Sequence, residues 1–186
     1  MILYIKNMVC NRCILVVKQE LDKLNIESKN ISLGEVELQD EISKEQMQQF
    51  GNNIATLGFE LLDNSKQKLI EKIKNIIIKQ VHYNQEENHY NFSEILSHAL
   101  HKDYSYLSSL FSEVEGVTIE KYTINQKIEK VKELIIYDEL SLSEIAFKLG
   151  YSSVAHLSAQ FKKVTGLTPS YFKQVGQRKR KPLDKI

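Results

Sequence analysis

Long apolar runs are missing from this chain. No stretch approaches the about 20 consecutive apolar residues that a bilayer-crossing helix needs, so no membrane partner is expected. Prolines are scarce, two among 186 residues, and the apolar content is that of an ordinary soluble protein. That length suits one large or two small domains. The opening MILYIKNMVCNRC has a short apolar run. It lacks a basic leader, a continuous apolar stretch and a small-residue cleavage site, so no secretory signal is expected and a cytoplasmic location follows. The two cysteines should then be reduced. There is no glycine-rich phosphate loop, no HExxH pair and no nucleophile elbow. The reading is therefore a non-enzyme. His98 and His101, beside Ser97 and Asp103, read as ordinary surface or core histidines.

The net charge of +1 conceals an uneven distribution. Residues 1–64 carry six basic and ten acidic side chains, residues 65–140 carry ten and twelve, and residues 141–186 carry nine and two. A basic end of this kind suits a polyanion, or is a solvated tail.

What the chain does have is a repeat, and a repeat sets architecture. Residues 93–122 and 143–172 align at a shift of 50 positions without a gap. Ser93, Glu94, Ile95, Leu107, Ser108, Phe111, Val114, Gly116 and Thr118 recur as Ser143, Glu144, Ile145, Leu157, Ser158, Phe161, Val164, Gly166 and Thr168. In the second copy, Ser141 or Ser143 caps a short helix with Ile145, Ala146 and Leu149 inward. Gly150 ends it. Ser152 or Ser153 caps a second helix, with Val154, Leu157, Phe161 and Val164 inward. This is a helix-turn-helix, whose second helix reads the major groove. A long helix striped by Ile124, Ile128, Val131 and Leu134/Ile135 joins the copies. Its charged residues Lys127, Glu129, Lys130, Lys132 and Glu133 predict a solvated outer face.

The candidate DNA contacts of the second copy are Ser153, Val154, Ala155, His156, Ser158, Ala159, Gln160, Lys162 and Lys163. Those of the first are Tyr104, Ser105, Tyr106, Ser108 and Ser109. Arg178, Lys179 and Arg180, with Lys181, either touch phosphate or form a solvated end. Where the second copy has Lys162 and Lys163, the first has Ser112 and Glu113; Glu115 replaces Thr165 and Asp103 replaces Ser153. Each lysine near a phosphate releases condensed counterions, so the second copy should supply most of the affinity. Direct base readout favours Arg, Lys, Asn or Gln. Ala155 and Ala159 offer at most an apolar contact to a thymine methyl.

IAFKLGYSSVAHLSAQFKKVTGLTPSYFK, with Gly150, Phe161, Lys162, Gly166 and Pro169 in register, resembles the C-terminal signature of AraC/XylS-type transcription regulators over roughly residues 66–175. The resemblance implies a seven-helix domain with two helix-turn-helices on adjacent major-groove segments of a promoter. Candidate partners are promoter DNA, RNA polymerase and a second copy of the chain.

The N-terminal part reads as α+β. Ile2–Lys6 is a strand, and Ile14, Val17, Leu21 and Leu24 mark a helix over about 12–24. Two strands flank Gly34 within 27–39. Ser43 with Glu45 and Gln46 opens a second helix bearing Met47, Phe50, Ile54 and Leu57; Gly58 stops it. Phe59–Leu62 is the last strand. The order β-α-β-β-α-β is the ferredoxin-like arrangement. The polar junction 63–67 places a domain boundary at 64/65, with an all-α domain over 65–186. That domain opens with a helix over 66–83, striped by Leu69, Ile73, Ile76, Ile77 and Val81, and then a polar loop over 84–91.

Met8-Val9-Cys10-Asn11-Arg12-Cys13 follows the first strand. Cys10 and Cys13 suit soft-metal binding, thiol redox exchange or plain packing. The Met-x-Cys-x-x-Cys motif and the closing Leu-Gly-Phe-Glu resemble heavy-metal-associated domains over about residues 1–63, which implies Cu(I) or another soft ion at Cys10 and Cys13. Asn7 departs from that pattern, which has glycine there. Two alternatives stand beside a metal- or thiol-regulated transcription regulator. In one the N-terminal domain is a protein-interaction or dimerisation unit without metal; in the other the chain is a thiol oxidoreductase or metallochaperone. A closed zinc site needs about four ligands, and His82, His89, His98 and His101 lie outside this unit.

Overall fold

The computed structural model describes residues 1–62, 65–84 and 91–175. They divide into two compact units, Met1–Asn75 and a second beginning at Ile76.

In the first unit the elements run β1 (Ile2–Lys6), α1 (Asn11–Lys23), β2 (Ser28–Ser32), β3 (Glu35–Leu38), α2 (Lys44–Ala55), β4 (Glu60–Leu62), then α3 (Ser65–Ile78). The strands form one antiparallel sheet in the order β2-β3-β1-β4. Successive side chains alternate between faces. Leu3, Ile5, Val36, Leu38 and Leu62 thus share the buried side with Val17 and Leu21 of α1 and Phe50 and Ile54 of α2. Each such burial contributes roughly 1.5–3 kcal/mol. Ser43 closes a capping box on α2: its Oγ accepts from Gln46 N at 3.1 Å, and Gln46 Oε1 accepts from Ser43 N at 3.1 Å.

The boundary expected at 64/65 falls at the start of α3, whereas the compact units divide inside that helix. The physical reason is that α3 up to Asn75 lies on the sheet. Lys72 pairs with Glu35 at 2.8 Å, and Lys68 and Lys72 both sit 5.0 Å from the Tyr4 ring centroid. Asn75 Nδ2 donates to Leu33 O at 3.1 Å. Gly34 has φ +81°, and a Cβ there would meet Asn75 Nδ2 at 2.1 Å. The turn therefore requires glycine twice over. Of the polar junction, residues 63 and 64 lie outside the described residues, as do 85–90 of the expected polar loop.

The second unit is helical. The end of α3 runs into a wide π-helical turn, Lys79–Tyr83. Then follow α4 (Phe92–Leu100), α5 (Tyr104–Glu115), α6 (Ile119–Tyr137), α7 (Leu142–Lys148), α8 (Val154–Thr165) and α9 (Pro169–Val175). Gly116 and Gly166, equivalent in the repeat, both take left-handed φ and end α5 and α8. Thr118 and Thr168, also equivalent, accept from Lys121 N and Tyr171 N at 3.1 and 3.3 Å and start the next helix. The Gly-x-Thr recurrence is thus a stop followed by a cap.

Helix α6 departs from the solvated spacer expected of it. Glu129 and Lys132 are buried and ion-paired, and Lys130 pairs with Glu133 at 2.9 Å in a half-buried position. The reason is packing on several sides: α5, α7, α8, α9 and the π-helical turn all contact α6. A helix so surrounded has no continuous face left to water.

Candidate nucleic-acid interface and cysteine pair

The second helix pair, α7 and α8, is set by short-range hydrogen bonds. Ser141, and not Ser143, caps α7: its Oγ accepts from Glu144 N at 3.3 Å, and Glu144 Oε2 accepts from Ser141 N at 2.7 Å. Ala146 is buried where the helices cross, and Gly150 takes φ +69° in the turn. Ser153, and not Ser152, caps α8, its Oγ accepting from His156 N at 3.1 Å. Leu157 and Phe161 are fully buried, and Phe161 meets Phe172 of α9 edge to face at 5.5 Å. This contact locks the roll of α8. Ser153, Ala155, His156, Ala159, Lys162 and Lys163 are then exposed, and Ser158 and Gln160 half-exposed.

Two of the expected contacts are already engaged. Val154 packs against the domain core and is not a free DNA contact; one apolar position of the seam falls on the first turn of α8. Gln160 Oε1 accepts from Tyr151 OH at 2.6 Å, and the Tyr151 ring also stands edge to face with His156 at 5.4 Å. Ser152 Oγ lies 3.1 Å from His156 Nδ1. His156 and Gln160 are therefore pre-oriented side chains, a property that favours readout because less freedom is lost on binding.

The first pair repeats the design with changes. Phe111 meets Tyr122 at 5.5 Å, the same edge-to-face contact made by their equivalents Phe161 and Phe172. The turn is shorter: α4 runs to Leu100, and His101 at φ +50° ends it where the second pair uses Gly150 one equivalent position earlier. Asp103 stands at the N-cap of α5 without a side-chain cap bond, unlike Ser153. Ser105, Tyr106 and Ser109 are exposed and Tyr104 and Ser108 half-exposed. Tyr104 OH donates to Glu120 Oε1 at 2.5 Å. That bond, against a smaller opposing effect of burial, holds the Glu120 carboxyl below the usual carboxylate range. His98 and His101 are both exposed, with ring centroids 6.4 Å apart.

Exposed Lys162 and Lys163 lie in the last turn of α8, where the helix dipole favours cations. The last turn of α5 has no basic residue. Arg178, Lys179, Arg180 and Lys181 lie outside the described residues, as does His89. Two cations of this region escaped the sequence reading. Lys102 sits in the first turn with its amine 5.5 Å from the Tyr106 ring centroid. Lys127, expected on a solvated face, is half-buried, and burial depresses its amine. The signal for Lys127 was its spacing of four from Ile124's neighbour Thr123, which places both on one face of α6.

In the first unit, Cys10 is the N-cap of α1 and Cys13 lies in its first turn. Their sulfurs are 3.4 Å apart, hydrogen-bonded and not joined by a disulfide. At a metal–thiolate length of about 2.3 Å both could reach one ion. The thiols are unequal. Burial acts to raise Cys10, but hydrogen bonds from Cys13 and Arg12 and the Arg12 charge outweigh it and hold Cys10 below the ordinary thiol value. Burial, with the neighbouring Cys10 sulfur, pushes Cys13 up. Cys10 is therefore the thiol of the pair that ionises first. Asn7 takes φ +71° and its Nδ2 donates to Gly58 O at 2.9 Å. Asparagine tolerates this left-handed backbone, so it can stand where glycine was expected. Among the described residues no cluster of three or more His, Cys, Asp or Glu could hold a metal. Two thiols at this separation have the chemistry to suit one soft ion. No helix among the described residues is long and apolar enough to cross a membrane.

Comparison with known proteins agrees with the helical unit. Residues 96–174 match the family described as "Helix-turn-helix domain". The transcriptional regulatory protein YesN of Bacillus subtilis is 37% identical over 71 residues, covering 37% of this chain and 19% of the relative. The xylose operon regulatory protein of Escherichia coli K12 is 35% identical over 71 residues, covering 38% and 18%. The HTH-type regulator YtdP of Bacillus subtilis is 28% identical over 104 residues, covering 56% and 13%. The chain thus spans under a fifth of the length of these three relatives. The C-terminal domain of AraT, a response regulator from Geobacillus stearothermophilus, superposes with a TM-score of 0.51 at 22% identity, covering 63% of this chain and 95% of that one. That likeness establishes the fold of the helical unit.

Proposed function

We propose, from the match of residues 96–174 to the helix-turn-helix domain family and the likeness to two transcription regulators, that this chain is an AraC/XylS-type, cytoplasmic, sequence-specific promoter-binding transcription regulator. The observation that carries the reading is the pair of equivalent helices α5 and α8, each locked by the same aromatic contact and each presenting short polar side chains outward. Two helix-turn-helices on one connecting helix suit successive major-groove segments of one duplex. In this reading α8 is the main anchor through Lys162 and Lys163, and α5 supplies the lesser contacts. RNA polymerase and a second copy of the chain are its protein partners.

The first unit is read as ferredoxin-like, on its element order and strand order, and as a heavy-metal-associated-like sensor. A soft ion held by Cys10 and Cys13 would supply a bond between the loop after β1 and the first turn of α1. The chain's own part is to present Cys10, the thiol that ionises first, beside Cys13, which ionises later. A second reading is a dimerisation or protein-interaction unit without metal. The test is DNA binding by the whole chain with and without Cu(I), Zn(II) and oxidant, beside a Cys10→Ser/Cys13→Ser variant. A response of the wild type that the variant lacks supports sensing. Identical curves throughout would sink it and leave the regulator reading intact.

A further inference from the structure

A groove of about 460 Å³ lies between the two helix pairs, with α6 as its floor. Tyr104 of α5 and His156 and Gln160 of α8 stand along it. Two polar groups on the floor lack a hydrogen-bond or ion-pair partner among the described residues. Thr123 is buried, and its Oγ1 makes no hydrogen bond. Lys127, one turn further along the same face of α6, has no carboxylate within ion-pair distance among the described residues; its amine lies 5.5 Å from the Tyr151 ring centroid. The groove's carboxylate, Glu120, is engaged by Tyr104.

A sheltered cation with no counterion and a buried hydroxyl with no partner are both costly as they stand. One anion would satisfy both. Burial pushes the Lys127 amine down, which an anion beside it would reverse. The groove is also continuous with the two helices that read the duplex. With α5 and α8 in successive major-groove segments, as the proposed function has them, the intervening sugar–phosphate backbone would pass over α6.

We propose that this groove is a phosphate site for the bound duplex, with Lys127 Nζ and Thr123 Oγ1 as its ligands. The inference rests on the DNA-binding reading. Such a contact sets the register of the two recognition helices on the backbone and carries no base information itself.

The test uses the whole chain and a duplex that the wild type selects from a random-sequence library, beside an unrelated duplex, titrated across salt concentrations. Lys127→Met keeps the aliphatic stem over Tyr151 and removes the charge. It should lower the slope of log K against log salt by about one, and weaken both duplexes alike. Lys127→Arg should restore the slope. Thr123→Val should weaken binding with the slope unchanged. A wild-type slope in a folded Lys127→Met chain overturns the proposal while DNA binding stands. If the wild type selects no duplex, the regulator reading and this occupant fall together. Inorganic phosphate is the third probe: saturable shifts of the Lys127 side-chain resonances, with an unaltered DNA slope in Lys127→Met, would give the groove to a free anion and overturn the proposal.

Discussion

The pairing of Phe161 with Phe172 is the contact that holds α8, and its strength can be measured. Both rings are fully buried, 5.5 Å apart and inclined at 71°. Truncating Phe161 to alanine should cost about 3–5 kcal/mol, the range for an aromatic removed from a packed core. Against a domain stability of about 5–15 kcal/mol, that risks unfolding the unit and says little about the pair. Leucine is the better probe, since it stays apolar and loses the ring. Phe161→Leu, Phe172→Leu and the double variant form a cycle whose coupling should be about 0.5–1.5 kcal/mol, the edge-to-face contribution beyond buried area. Amide hydrogen exchange along α8 reads this locally and avoids treating two compact units as one transition. The same cycle at Phe111 and Tyr122, 5.5 Å apart at 61°, should give a coupling of the same size. Additivity within about 0.3 kcal/mol in both cycles would refute the claim that these rings specifically lock the two recognition helices.

Three further outcomes are expected. Ser153→Ala removes the hydroxyl that accepts from His156 N and should destabilise α8 by about 1 kcal/mol, seen as fraying of its first turn in amide exchange. Asp103→Ala, where no side-chain cap bond exists, should change α5 much less. Neutralising Lys162 and Lys163 to glutamine should lower the salt slope of DNA binding by about 1.8, two contacts at roughly 0.9 each. Glu113→Lys should raise the slope, and equal slopes for wild type and the double glutamine variant would dismiss the asymmetry between the pairs. The thiols titrate in opposite senses. Cys10, held down by hydrogen bonds and Arg12 against its burial, favours the folded state above the unfolded thiol value; that stability is lost as pH falls through its folded value. Cys13, raised by burial, favours the folded state below the unfolded value and loses that contribution as pH rises through its folded value. Alkylation should therefore reach Cys10 first, at a pH below the ordinary thiol midpoint. First labelling at Cys13 would contradict the assignment.

Much of this architecture was legible because its signals are local. Gly116 and Gly166 end helices, Thr118 and Thr168 start them, and the apolar spacing of Leu157 and Phe161 shows which face goes inward. The misreadings concern contacts made by residues far apart in sequence. Glu129 and Lys132 look like solvent-facing charges on any helical wheel, and only the helices gathered around α6 bury them. The partial burial of Lys127 has the same cause. The division within α3 depends on Lys72 and Asn75 reaching β3 and its turn, which no spacing along α3 can reveal. Asn7 looked like a departure at a glycine position, and its φ shows how asparagine meets the same backbone demand.

By itself the sequence determined that one helix pair is used twice, what ends and begins each helix, and that the second copy is the more basic. These follow from helix period, capping chemistry and charge, which act over a few residues. Tertiary structure alone decided which serine caps each helix, which side chains of α8 stay outward, and that the connecting helix carries a sheltered cation beside an unpartnered hydroxyl. Those depend on which distant surfaces meet, because burial and hydrogen bonding are decided by neighbours in space.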